Sequence, residues 1–159
     1  ATNEAQKLSS GQVSNQAYYI KGKVAKIAVD KNNNVQNFDY GTYGNASFYI
    51  SDDGKDANTF YCYRVLSLDN KKWEQGAGDV LAVNDEVIVC AKLTMYNTTA
   101  ETGQNEGYLY SLNGKTSSGG NNNTPTGDVI GTKDNPVTVA RALSDIDKLN
   151  DGDYRDRLL

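Results

Sequence analysis

Lys21, Lys23, Tyr49 and Arg64 lie on strand-like runs, at positions that alternation turns away from a core. Two loop-like stretches flank them: residues 30–44, carrying Phe38, Tyr40 and Tyr43, and residues 97–106. Aromatic rings with a few cations suit two chemistries. The bases of a single-stranded nucleic acid stack on rings while cations track its phosphates, and the same rings stack on sugar faces. In a third reading the tyrosines take no ligand and simply cover half-exposed strands. Lys21, Lys23, Tyr40, Tyr43, Tyr49 and Arg64 are therefore the candidate ligand-binding residues.

Signals for catalysis are weak, and the chain reads as a non-enzyme with no catalytic residues, metal or cofactor. It has no histidine, no reactive-cysteine setting and no nucleophile elbow. Asp52 and Asp53 sit in a turn, where carboxylates accept local backbone hydrogen bonds. The run from Asp30 to Asn34 starts like a calcium loop, but Val35 replaces the required glycine and Gly41 the bidentate acid. A similar run from Asp147 fails at Leu149 and Leu158, and phosphate-cradling glycine loops are missing.

The elements that must position the candidates are short and alternating. Strand-like runs span residues 18–27, 45–51, 59–65, 86–93 and 107–112, and Asp52-Asp53-Gly54 joins the second and third as a hairpin. Five strands with the longest gap between the third and fourth predict an all-β fold, a five-stranded Greek-key barrel of the OB type. Such barrels bind ligands on one strand face and between two particular loops.

Phase can be assigned strand by strand. In the first, Ile20, Gly22 and Val24 face inward; Ile27 and Val29 join them only if a bulge shifts the phase near Ala25. Gly22 lets this strand bend enough to serve both halves of the barrel. In the second, Ala46, Phe48 and Ile50 face inward, with Ser47 and Tyr49 outward. The third is ambiguous, with Tyr61, Tyr63 and Val65 on one face and Phe60, Cys62 and Arg64 on the other. Arg64 is placed outside because an unpaired buried guanidinium is very costly. The fourth buries Val87, Val89, Ala91 and Leu93, while Leu66, Leu68 and Trp73 pack a short helix or turn against the barrel's end.

Composition narrows the partners. With 16 basic and 20 acidic residues the chain carries −4 at pH 7, which opposes generic affinity for nucleic acid. The deficit is even, 11 − 13 over residues 1–115 and 5 − 7 over 116–159, so no segment is basic. Tyrosine supplies 11 residues against 3 Phe and 1 Trp, which leaves much of the aromatic surface with a polar handle. No apolar run approaches the ~20 residues of a membrane span, so no membrane insertion is expected. Cys62 and Cys90 fall on strands that do not neighbour each other in such a barrel, which favours two free thiols over a bridge.

An internal repeat suggests tandem modules. Residues 1–11 align with 142–152, with Ala, Lys, Leu and Gly identical. The second copy has a proper helix start, with Thr138 as N-cap and Val139, Leu143, Ile146 and Leu149 on one stripe. The expected organisation is a partial lead-in helix (1–17), the barrel (18–115), a flexible linker (116–130) and the opening segment of a truncated second module (131–159). The linker is expected because its Ser, Gly, Asn and Thr cannot bury enough apolar surface to order themselves.

These segments converge on a resemblance. YYIKGKV, YGNASFYISDDG, FYCYRVLSL, VNDEVIVCAKLTMYN, AETGQNEGYLYSLNGK and GTKDNPVTVARAL resemble the OB-fold nucleic-acid-binding-type domains of secreted and lipid-anchored proteins from Gram-negative gut bacteria. The likeness covers residues 18–115 and 131–149, with Asn84 and Ala91 standing where the family usually has glycine. It implies a binding module in a modular, secreted or cell-envelope protein, with single-stranded nucleic acid as the ligand that the family name suggests. An oligosaccharide-binding module and a structural or protein-interaction spacer, docked to other modules of the same chain, are the alternatives.

Overall fold

Each run forms a strand because it offers one apolar face to a shared core. The computed structural model describes residues 13–28, 38–39, 44–74, 80–117 and 129–148. In chain order the strands are β1 (Val13–Ile27), β2 (Phe38–Asp39), β3 (Asn45–Ser51), β4 (Phe60–Val65), β5 (Glu86–Tyr96), β6 (Thr99–Leu112), β7 (Lys115–Thr116), β8 (Val129–Ile130) and β9 (Val137–Thr138). A 3-10 turn (Leu68–Asn70) follows β4, and a helix, α1 (Val139–Lys148), follows β9.

Five strands close an OB-like barrel in the order β3-β4-β6-β5-β1, with β1 returning to β3. β1 achieves this by changing partner along its length. Ala17 to Lys23 pair with β5, and Lys23 to Ile27 pair with β3. The change of partner needs a sharp bend, and a register shift between Val24 and Lys26 supplies it. That bulge also carries Ile27 back against the core. The remaining closure, β4 to β6, is parallel and brief: Tyr61 pairs with Glu101, and the Thr102 hydroxyl bonds both the N–H and the C=O of Tyr63.

The third strand resolves in an unexpected way. Arg64 does point outward, but so do Tyr61 and Tyr63, while Phe60, Cys62 and Val65 are fully buried. Strict alternation cannot do this. Arg64 sits in the left-handed region (φ 52°), and Ser47 of β3 faces Tyr63 and Arg64 together, between the Phe48–Cys62 and Ala46–Val65 pairs. The Ser47 hydroxyl accepts the Arg64 N–H left over by this bulge. Both cysteines are buried and free, and burial pushes the Cys62 thiol well up.

The expected loop at residues 97–106 is mostly strand. Asn97, with φ 54°, makes a tight turn with Thr98, and β5 and β6 run on as one long hairpin. Asn84 likewise takes φ 73° in the turn before β5, a conformation asparagine tolerates and glycine more commonly fills.

Residues 129–148 belong to the core. β8 and β9 pair parallel to β1 at Ala17–Tyr18 and Ile20–Lys21, on the edge that β3 leaves uncovered. α1 then buries Val139, Ala142 and Ile146 against the barrel. Its start is doubly capped: the Asp52 carboxylate accepts the N–H groups of Val139 and Ala140, and the Thr138 hydroxyl accepts that of Arg141. The segment read as the opening of another module therefore closes this one. At the other end, the described part of the expected lead-in helix, residues 13–17, is strand. The expected linker starts later than residue 116, since Thr116 pairs in β7 and Ser117 is buried, its hydroxyl donating to the Leu109 carbonyl.

Gly22 explains how α1 fits so closely. A Cβ there would lie 3.0 Å from Val139 Cγ2, 3.1 Å from the Ser51 carbonyl and 3.2 Å from Ile50 Cβ. Gly22→Ala is therefore expected to lower stability by about 1–3 kcal/mol through overpacking, read as a lower denaturation midpoint with unchanged slope. A variant at least as stable as the parent would show that β1 and α1 have slack at this point.

Candidate ligand-binding face

The two bulges create a surface that strict alternation would not. On β1, the shift after Val24 turns Lys26 outward opposite Tyr49 of β3. On β4, the bulge at Arg64 keeps Tyr61 and Tyr63 outside. Cross-strand pairing then runs Lys26–Tyr49, Tyr49–Tyr61, Tyr61–Glu101 and Glu101–Thr94. One row thus crosses β1, β3, β4, β6 and β5, with a cation at its start and a carboxyl beyond its rings.

The rings pack on one another. Tyr49 and Tyr61 stack with centroids 4.4 Å apart and planes at 17°, and Tyr63 follows at 5.7 Å and 45°. Lys26 Nζ lies 4.5 Å over the Tyr49 ring and Arg64 Cζ 5.0 Å over the Tyr63 ring. Because Tyr61 stacks on one face of Tyr49, Lys26 must occupy the other. Lys26 also pairs with Asp56 at 3.1 Å. Both faces of Tyr49 are therefore already covered, by Tyr61 and by Lys26.

Electrostatics set the two ends apart. The Tyr61 phenol is pushed up chiefly by burial; its hydrogen bond with Ser47 pulls the other way, and Tyr49 and Glu101 add to the rise. Glu101 is only 8% exposed. Burial without a compensating charge pushes its carboxyl up to about 7. It makes no hydrogen bond or ion pair among the described residues.

The candidate residues are only partly brought together. Tyr49 and Arg64 stand in the ladder. Lys21 lies away from it, opposite Ile88 of β5 and Thr138 of β9, and is bound to Glu86 at 3.0 Å. Lys23 is exposed where β1 changes partner, its stem beside Gly54. Tyr40 and Tyr43 lie outside the described residues, as does the side chain of Phe38. Lys26, Tyr61, Tyr63 and Glu101 are members that sequence reading missed. Lys26 was recoverable, because the slip that buries Ile27 also turns Lys26 outward.

A second tyrosine group occupies the β1–β5–β6 side. Tyr19, Cys90 and Tyr108 pair across the three strands, and Tyr19 meets Tyr110 edge-on at 5.5 Å. Burial pushes the Cys90 thiol up, opposed by hydrogen bonds with the Tyr108 and Tyr19 hydroxyls, so it is a poor nucleophile at neutral pH. Among the described residues, no cluster of His, Cys, Asp or Glu is arranged to hold a metal ion. No described helix is long and apolar enough to cross a membrane. No protein-family model, curated protein or solved structure matches this chain.

Proposed function

We propose that this barrel is a non-catalytic binding module whose ligand lies across the tyrosine row, and that the ligand is an uncharged oligosaccharide. The observation that carries the reading is the covering of the ring faces. A base needs an open face to stack on, whereas Lys26 and Tyr61 already occupy both faces of Tyr49. A sugar loses the same stacking at Tyr49, but its many hydroxyls still hydrogen-bond to polar groups along the edge of the row, which a base does far less. Charge points the same way. Lys26 is paired with Asp56 and Lys21 with Glu86, and the whole chain carries −4, a balance that disfavours a phosphate backbone.

Single-stranded nucleic acid, the ligand implied by the family resemblance, is the reading against which this one is tested. The same resemblance, and nothing else, supports membership of a modular, secreted or cell-envelope protein. A mixed array of glycans and oligonucleotides, probed at low and high salt, separates the two. Glycan binding that ignores salt and weakens about tenfold in Tyr49→Ala, ~1.4 kcal/mol, is the expected result. Oligonucleotide binding that collapses with salt would replace the sugar with nucleic acid. No binding of either class by the folded protein would leave a structural spacer.

A further inference from the structure

The row does not end at its rings. Beyond Tyr61 stands Glu101, nine-tenths buried on the outer side of the barrel, with no hydrogen-bond or ion-pair partner among the described residues. Buried polar groups are nearly always satisfied, so such an acceptor next to a ligand face calls for an explanation. No role in the fold accounts for it. The closure between β4 and β6 uses the Glu101 backbone, in its pairing with Tyr61, and the Thr102 hydroxyl one residue on; the Glu101 side chain contributes no bond to it.

We propose that Glu101 is the specificity-determining residue of this face, accepting a hydrogen bond from a hydroxyl of an uncharged sugar lying across Tyr49 and Tyr61. The inference rests on the oligosaccharide reading above and assigns the group that selects within it. Its logic is exclusion as much as attraction. A phosphate or a sugar acid placed at this end of the row meets an acceptor that offers it no donor when ionised. A hydroxyl satisfies the carboxylate with a charge-assisted bond, stronger than the same bond to a neutral acid. Sites built around a buried polar group discriminate strongly, because the wrong ligand leaves that group unpaired.

The surroundings leave Glu101 as the group that titrates near neutrality. Tyr61 of β4, its cross-strand partner, is a phenol that burial pushes up further, and Tyr49 of β3 and Tyr63 of β4 stand next along the row. From β5 come its cross-strand partner Thr94 and, two residues along, Lys92, while β1 places Val13 opposite Thr94. The cations Lys26 and Arg64 lie over the Tyr49 and Tyr63 rings. With the free carboxyl held up to about 7, a sugar that donates to its ionised form binds more tightly as pH rises. A ligand that needs the proton does the opposite.

The test titrates the whole chain, its Glu101→Gln and its Tyr49→Ala variants with a panel of neutral hexasaccharides and with a short oligothymidylate. Glutamine keeps the shape and removes the charge, and it relieves a buried carboxylate, so folding is retained. For the best-bound hexasaccharide, wild-type affinity is expected to rise about fivefold between roughly pH 5.5 and pH 8.5. Glu101→Gln is expected to bind more weakly at the upper pH and to show no such rise. Equal affinity and slope in wild type and Glu101→Gln would overturn the assignment, as would affinity that falls with pH, while Tyr49→Ala still weakened binding. Failure of the parent reading looks different: no hexasaccharide binds, or Tyr49→Ala leaves affinity unchanged.

Discussion

A chain ending at Ser117 is expected to lose most or all of its cooperative unfolding transition. Removing residues 118–159 strips Val139, Ala142 and Ile146 from the core and leaves the β1 edge at Ala17–Lys21 unpaired. Burying a Val or Ile side chain contributes about 1.5–3 kcal/mol each, so the helix supplies on the order of 5 kcal/mol. A domain of this size has roughly 5–15 kcal/mol in total. Denaturant unfolding followed by tryptophan fluorescence reads the result directly, since Trp73 is buried and its indole N–H donates to the Val65 carbonyl. Should the shortened chain melt like the parent, α1 would be an accessory and not a wall of the barrel. Ile146→Ala is a milder version, expected to cost about 2–5 kcal/mol.

Glu101→Gln is expected to make the protein more stable in alkaline solution and leave it nearly unchanged in acid. A carboxyl raised from its ordinary 4.5 to about 7 makes the folded state hold a proton that the unfolded chain has released. Stability is therefore full below about pH 4.5, falls as pH rises toward 7, and stays at the lower level above it. The shift sets a ceiling of roughly 3 kcal/mol on that loss, which is large for one residue. Thermal unfolding of both proteins at several pH values measures it. If the two curves run parallel across the whole range, Glu101 is ionised and solvated in the folded barrel.

The two expectations concern opposite faces of one construction problem. α1 plugs the barrel where β3 stops pairing with β1, while the tyrosine row lies outside, across the strands that the two bulges re-aim. Glu101 apart, stability and the proposed binding thereby fall to different residues. Variants at Tyr49 should alter ligand affinity with little effect on the core, and variants at Gly22 or Ile146 the reverse.

Alternation in the runs around Ile20, Phe48 and Val89 was enough to name the barrel and its inward residues, because a period of two is a local signal. The bend expected at Gly22 lies instead at the register shift after Val24, with Lys23 as the residue that pairs on both sides. The bulge near Ala25 was also legible, since Ile27 could reach the core in no other way. The Thr138 cap was readable for the same reason. What the chain's order alone could not decide was the phase of β4. Arg64 belonged outside on charge grounds, yet moving Tyr61 and Tyr63 out with it required a left-handed residue and the Ser47 hydroxyl on a neighbouring strand. Nor could it say that α1 closes this barrel, because helix periodicity shows which face is apolar and not which surface covers it. Glu101 reads as one acidic residue in a polar stretch until a parallel pairing with Tyr61, 40 positions earlier, buries it at the end of a row assembled from five strands. Local pattern determined the elements; the contacts between distant strands determined which side chains meet.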